Sequence, residues 1–203
     1  LTTETHLLPL GMFSLKTCSV DGCHHYICAG EETCYHHSRD QETILAQAQS
    51  LLAGSSDLFD LSVSEAHFSH LTLLPRRMAG NNLAWCTFTD VDFSSLAMTN
   101  CFFDFCLFER CRFNAVDVRH TVFAGSRFLS CDLSNSRFIH TNFSGIAAFT
   151  TNFSECDFYY STFNTAFLTD SPFEDCNLKK TDFRHSLRKN ISFRYSNLEE
   201  AHR

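Results

Sequence analysis

The sequence predicts a stacked solenoid, a long thin core assembled from short repeated units, and three regularities predict it. From Leu58 to Leu198 every fifth residue is apolar, with Arg188 the exception; of these 29 positions 16 are Phe, out of 22 Phe in a chain of 203 residues. Two residues before that slot stands a small or thiol-bearing side chain, as at Cys86, Val91, Cys101, Cys106, Cys111, Val116, Thr121, Ser126, Cys131, Ser136 and Thr141. Two residues after it fall Gly80, Gly125 and Gly145, where a tight turn favours glycine. Neither a helix of 3.6 residues per turn nor a strand of period two can carry a five-residue phase, so the phase belongs to a repeat architecture. Such an array is stabilised by stacking of neighbours rather than by one globular centre.

Three segments precede the repeats. Residues 1–17 form an N-terminal extension that opens on Leu1, so the natural start lies further upstream or at Met12. Residues 18–37 hold Cys18, Cys23, Cys28 and Cys34 and are too short and polar to build a core of their own. Residues 38–55 read as a helix over about 39–53, in which Ser38 with Gln41 fits a capping box and Gly54 a C-terminal stop. Ile44, Ala48, Leu51 and Leu52 share one face of it. Its expected role is a lid, because a solenoid exposes raw core at its end. Residues 56–203 are the repeat.

The formal net charge of −7 divides unevenly: residues 1–55 hold six acids against two bases, residues 56–203 seventeen against fourteen. A nearly neutral repeat region argues against a nucleic-acid-binding surface. No window approaches 18 consecutive apolar residues and no basic n-region precedes an apolar run, so neither a membrane span nor an intact signal peptide is expected. The seven cysteines beyond residue 37 all occupy the small slot of the repeat, the distribution of a buried packing residue rather than of a disulfide framework. The axial pairs Cys86 with Cys106, Cys111 with Cys131 and Cys156 with Cys176 are therefore expected to stay reduced, and the chain to be cytoplasmic.

The strongest chemical signal is Cys18-x4-Cys23-x10-Cys34-x2-His37. Zinc favours tetrahedral thiolate and imidazole ligands, which two short ligand pairs joined by a loop can supply. Metal binding would also supply the folding free energy that a short polar segment lacks. His36, Cys28, His24 and His25 are near enough to substitute in the set. Four strong protein ligands leave no open position, so the expected zinc is structural rather than catalytic. The segment is similar to the small C-x4-C…C-x2-H zinc-binding modules near the starts of many bacterial proteins.

Segments such as CDLSN, TNFSG, CDFYY, CNLKK and TDFRH, with Asp or Asn before the apolar slot at Asp92, Asp132, Asn142, Asp157 and Asp182, resemble the pentapeptide-repeat family, whose consensus is approximately A(D/N)LxX. The resemblance covers residues 81–201 strongly and 56–80 weakly. It implies an all-β solenoid, a right-handed quadrilateral β-helix with four pentapeptides to a coil and slots i and i−2 inward. About six coils follow, with a further one from the weak repeats, in a rod on the order of 30 Å long at the strand-spacing rise.

Stacking at 20 residues lets surface columns be read. Asp92, Arg112, Asp132, Asn152 and Pro172 mix charges, and no face is uniformly acidic. His120, His140, Tyr160 and Lys180 share a column, read as solvated side chains. Arg188 in the core slot reads as a local bulge or fraying, with Ala148 two coils earlier in its column. Aromatic residues outside the core slot mark an interaction surface: Trp85 and Phe105 at i+2 with Phe102 beside them, and Leu129, Phe149 and Phe167 on another face.

No nucleophile–base set, phosphate loop or paired-acid motif rises above background, so the reading is a non-enzymatic scaffold for a protein partner. Two alternatives stand beside it. The resemblance implies gyrase or topoisomerase protection by acidic DNA mimicry, which the mixed columns disfavour; a metal-dependent enzyme would use the Cys/His module. The chain ends at Arg203 without an evident lid, so more sequence follows or a second copy buries the last coil, and a homodimer through the C-terminal coil is the expectation.

Overall fold

The structure, a computed structural model, describes residues 16–28, 30–54, 57–74 and 76–203; most of the 1–17 extension, Met12 included, lies outside them. Where the phase runs, it becomes a coil of four short sides. The strands are three residues long: β1 Asp57–Phe59, β2 His67–Ser69, β3 Arg77–Ala79, β4 Thr87–Thr89, β5 Ala97–Thr99, β6 Leu107–Glu109, β7 Asp117–Arg119, β8 Arg127–Leu129, β9 Arg137–Ile139, β10 Ala147–Phe149, β11 Phe167–Thr169 and β12 Leu187–Lys189. They form two parallel sheets, β1-β3-β5-β7-β9 and β12-β11-β10-β8-β6-β4-β2. Each neighbour is displaced by one coil, as in Leu58↔Met78 and Phe128↔Ala148. The other two sides are held by single parallel bridges on the same spacing, such as Phe102↔Val122 and Asp92↔Arg112. The result is a right-handed quadrilateral β-solenoid of about 7 turns.

The apolar slot packs as ladders. Phe103, Phe123, Phe143, Phe163 and Phe183 stack with ring centroids 4.8 to 5.3 Å apart. All five are fully buried. The small slot does more than fill space: its hydroxyl or thiol donates to the carbonyl of the apolar residue one coil earlier. Ser126 Oγ donates to Phe103 O at 2.7 Å, Ser161 Oγ to Phe138 O at 2.6 Å and Cys106 Sγ to Leu83 O at 3.1 Å. The same Ser126 oxygen accepts the Cys106 N–H at 2.8 Å. Cys, Ser and Thr are thus exchangeable in this slot because each carries one donor hydrogen.

Two residues after the apolar slot, at the described corners from Asp60 to Tyr195, the backbone turns through the left-handed region: Trp85 has φ 63°, Phe105 56°, Ala115 57° and Gly125 68°. Each coil corner therefore holds a conformation that costs an L-residue roughly 1–2 kcal/mol.

Before the coils lies α1, Gln41–Gly54. Its N-cap is Asp40, whose Oδ1 accepts the Thr43 N–H at 3.0 Å, rather than Ser38. Ser38 Oγ instead accepts the Asp40 N–H at 3.1 Å, and Gln41 donates back to His36 O at 3.3 Å, so the expected capping box is displaced by two residues. Ile44, Ala48 and Leu52 are buried and join the same core cluster as Leu58, Leu61 and Val63, while Leu51 faces outward. At the far end the phase is kept through Arg188, which pairs in register with Leu168 and sets its guanidinium 5.9 Å from the Phe183 ring centre. There is no bulge there: β12 keeps its register with β11, and the Arg188 side chain is exposed.

Candidate metal centre and aromatic surface

Two tight turns bring the ligand pairs of the Cys/His segment together. An antiparallel bridge, Thr17↔Tyr26, closes a small hairpin, with Cys18 N–H on His25 O at 2.8 Å. Its turn passes through Gly22 at φ 76°, which a side chain would strain, and returns Cys23 to face Cys18. Downstream, the single 3-10 turn Tyr35–His37 follows Cys34 and carries His37 back over it, the His37 N–H reaching Cys34 O at 3.1 Å.

The ligand atoms of Cys18, Cys23, Cys34 and His37 all lie within 4.8 Å of one another and can hold a metal ion. Cys18 Sγ and Cys34 Sγ each stand 3.5 Å from His37 Nδ1, and Cys23 Sγ stands 3.9 Å from Cys34 Sγ. Zinc bonded tetrahedrally to thiolate and imidazole has edges of about 3.8 Å between sulfurs and about 3.6 Å between sulfur and nitrogen. The donor set and its spacing fit such an ion.

The two thiols of the cluster are shifted in opposite directions. Burial works against a charged Cys18, but hydrogen bonds from the Cys34 and Val20 backbones and from His37 and Cys23 outweigh it and bring the thiol down to about 6. Burial pushes Cys34 up to about 11, so negative charge in the cluster sits on Cys18 rather than on Cys34.

The substitutes weighed from the sequence stand elsewhere. Cys28 is 1% exposed in the core cluster, and its burial pushes it up to about 12. His25 and His36 point their Nδ1 atoms at the two oxygens of Glu65 on the rod, His36 at 3.4 Å. His24 is exposed and outside the cluster. Glu65 had no sequence signal: it occupies an ordinary corner slot.

The aromatic residues outside the core fall on adjoining parts of the surface. Trp85 and Phe105, both about half exposed at 53% and 50%, stack at one corner with centroids 4.4 Å apart and planes 17° apart. Phe105 leans over the next coil: a Cβ on Gly125 would come 2.5 Å from its ring, so glycine there lets the ring lie flat. Phe102 pairs with Val122 on the side before this corner, both half-buried. The corner opens onto the seven-stranded sheet, where Leu129 and Phe149 are in register and Phe167 pairs with exposed Leu187.

The remaining candidates are structural. All eleven cysteines are free, and burial pushes Cys86 up to about 12 and Cys176 to about 11. His120 and His140 stack with planes 16° apart, a parallel arrangement whose ring nitrogens do not converge on one ion. Their column continues through Tyr160 to Lys180, whose Nζ donates to the Tyr160 hydroxyl at 2.9 Å.

No helix among the described residues is long and apolar enough to cross a membrane. No curated protein sequence matches the chain. Among solved structures it is similar to trypsin-treated QnrB1, a plasmid-mediated fluoroquinolone resistance protein, at TM-score 0.52 and 15% identity over 65% of this chain and 71% of that one. It is also similar to Rfr23, a pentapeptide repeat protein of the cyanobacterium Cyanothece 51142, at TM-score 0.33 and 13% identity over 70% and 90% of the two chains. HetL of the cyanobacterium Nostoc sp. strain PCC 7120, a pentapeptide repeat protein involved in heterocyst differentiation regulation, gives 0.27 and 10% over 77% and 92%. The QnrB1 likeness shows the fold alone, and the other two superimpose too loosely to carry an argument. The family described as Pentapeptide repeats matches in 8 copies over residues 106–145 and 151–187. With that match on a rod of 20-residue quadrilateral coils, residues 106–145 and 151–187 are pentapeptide repeats.

Proposed function

We propose that this protein is a non-enzymatic scaffold that presents a rigid side-chain surface to a protein partner, with a structural zinc in its N-terminal module. The observation that carries the scaffold reading is the Trp85–Phe105 stack, two large rings held in fixed orientation and half exposed on a rigid rod. Exposed, preorganised aromatic residues are what partner-binding surfaces use. Phe102 extends this surface on one side, and Leu129, Phe149 and Phe167 on the sheet beyond. Mimicry of DNA is less well supported, because the stacked columns alternate in sign: Asp90 pairs with Arg110 at 2.7 Å and Glu174 with Arg194 at 3.0 Å.

The zinc reading is supported by three thiols and one imidazole gathered within 4.8 Å, three of whose separations are close to tetrahedral edge lengths. A closed four-ligand set serves folding rather than catalysis. Eleven free cysteines, three of them in the Cys/His cluster, fit a reducing, cytoplasmic setting.

A homodimer through the C-terminal coil also belongs to this reading, on the exposure of Leu187 (64%) and Tyr195 (84%) there. Sedimentation at high concentration should give twice 23.2 kDa; a monomer mass would remove the dimer.

The scaffold reading is tested by affinity capture from source cells with the native chain and a Trp85→Ser, Phe105→Ser double variant as baits. A protein held by the first and lost with the second supports it. Identical capture by both removes the corner as the partner surface.

A further inference from the structure

The outward face of the seven-stranded sheet matches itself when turned end over end. Two columns of side chains point out of it, one on each side of the buried apolar slot, and each strand adds one residue to each column. Over β6, β8, β10, β11 and β12 the first column reads Leu107, Arg127, Ala147, Phe167 and Leu187. The second reads Glu109, Leu129, Phe149, Thr169 and Lys189. Phe149, Phe167 and Leu187 are exposed, as are Arg127 and Lys189.

A second copy turned over about a two-fold axis along β10 lays its β11 on β8 and its β12 on β6. In the second column Glu109 then meets Lys189 of the second copy, Leu129 meets Thr169, and Phe149 meets its own counterpart. In the first, Arg127 meets the Phe167 ring, Leu107 meets Leu187, and Ala147 faces itself. No pair opposes like charges or sets a charge on an aliphatic side chain, and a guanidinium on a ring is attractive. The other two-fold, along the rod, would set Leu107 on Glu109, Leu129 on Arg127 and Leu187 on Lys189, desolvating charges against aliphatic groups. The corners flanking β10, Gly145 and Thr150, are small, as is Ala147, so a second sheet can approach there. Strand directions stay aligned across the axis, a common mode of sheet-on-sheet packing.

We propose that this sheet face pairs with the same face of a second copy, the two rods running antiparallel about a two-fold axis along β10. This rests on the reading of Leu129, Phe149 and Phe167 as a contact surface, names their occupant, and leaves Trp85 and Phe105 to another partner. It differs from a dimer through the C-terminal coil, because Tyr195 stands at a corner that does not border the sheet: β12 is flanked by His185 and Asn190. Five coils at about 4.8 Å by five residues at about 3.3 Å make a face of about 24 by 16 Å. That is below the roughly 800 Å² per partner of a standard interface, so association is expected at micromolar rather than nanomolar concentration.

Sedimentation equilibrium of the full chain, from low micromolar to near-millimolar concentration, tests the proposal. The native chain is expected to dimerise, and Phe149→Asp, a change at an exposed position, to weaken the dimer at least about tenfold. Glu109→Lys and Lys189→Glu, each alone, should weaken it too, because each sets like charges opposite one another. An equimolar mixture of these two variants should associate again, since every charge then faces its opposite across the axis. A role confined to one chain gives no such rescue. A native chain that is monomeric throughout, a dimer indifferent to Phe149→Asp, or a mixture that associates no more tightly than its components would overturn the proposal. Loss of the dimer in Tyr195→Ser but not in Phe149→Asp would overturn it in favour of the C-terminal coil. Capture through Trp85 and Phe105 is read independently, since neither residue belongs to the two columns.

Discussion

Glu65, at a corner of the rod, receives His36 of the Cys/His module at 3.4 Å on one carboxylate oxygen and His25 on the other. The two histidines flank the Cys/His cluster, His25 two residues after Cys23 and His36 directly before His37. Whatever fixes the ligands therefore fixes the joint between module and rod. Ser62 Oγ extends the joint by donating to Ile27 O at 3.1 Å, and Cys28 enters the core cluster behind it.

Metal removal should act through that joint. Chelation is expected to speed amide exchange at least tenfold in residues 16–54 and in the first coil, leaving β6 to β10 protected, since a solenoid opens from its ends. Hydrogen-exchange mass spectrometry checks this; unchanged exchange at the N-terminus would count against it.

The donor slot predicts an asymmetry between two small substitutions. Ser126→Ala leaves Phe103 O and the Cys106 N–H without their partner and should cost about 1–3 kcal/mol. Ser126→Cys keeps a donor hydrogen and should stay within about 1 kcal/mol. Urea unfolding of both variants decides; equal losses would reduce the slot to a matter of size.

Corner conformation predicts opposite effects at two neighbouring coils. Ala115 sits at φ 57°, so Ala115→Gly should stabilise the rod by about 1 kcal/mol. Gly125→Ala adds a Cβ against the Phe105 ring at φ 68° and should cost about 1–2 kcal/mol. It should also shift the Trp85 emission, because Phe105 must move off its stack. Thermal melts and fluorescence read both effects.

Two carboxylates should titrate stability in opposite senses. Hydrogen bonding from Arg184 lowers Asp182 to about 2, against the effect of burial. A folded pKa below the unfolded one gives stability that is full above about pH 4 and lost as pH falls through the folded value. Asp182→Asn should therefore cost about 0.5–1 kcal/mol at pH 7, after solvent screening, and little at pH 2. Asp104 is raised by burial, so its charge opposes folding at neutral pH and the cost disappears as pH falls through the folded pKa. Asp104→Asn should leave the protein as stable or slightly more stable at pH 7, by under about 1 kcal/mol. Melts at both pH values check each sign.

Much of this architecture was legible because the repeat ties one slot to one direction in space. Once Phe103 and Phe123 are known to point inward, the ion pair of Asp92 with Arg112 and the stack of Trp85 on Phe105 follow from counting by twenty. The grouping of Cys18, Cys23, Cys34 and His37 was legible from spacing, since two turns suffice to join Cys18 to Cys23 and Cys34 to His37. Glu65 was not, because its link to His25 and His36 spans 40 and 29 residues and depends on how the module folds back. The donor role of Ser126 was hidden by Val91 and Val116, which occupy the same slot without a donor and make it look merely small. Ser38 misled as a helix cap because Asp40 offers the stronger acceptor two residues on. Arg188 suggested a break in phase, whereas the strand keeps its register with Leu168 and leaves the charged head exposed beside the Phe183 ring.

The most direct test of the account is the metal content and coordination of the purified full chain. It predicts one zinc per chain, with X-ray absorption giving three sulfur ligands at about 2.3 Å and one nitrogen at about 2.0 Å, and loss of the metal in Cys34→Ser. A chain purified with no bound metal that takes up none on titration, or a zinc bound through oxygen ligands and indifferent to Cys34→Ser, would contradict it.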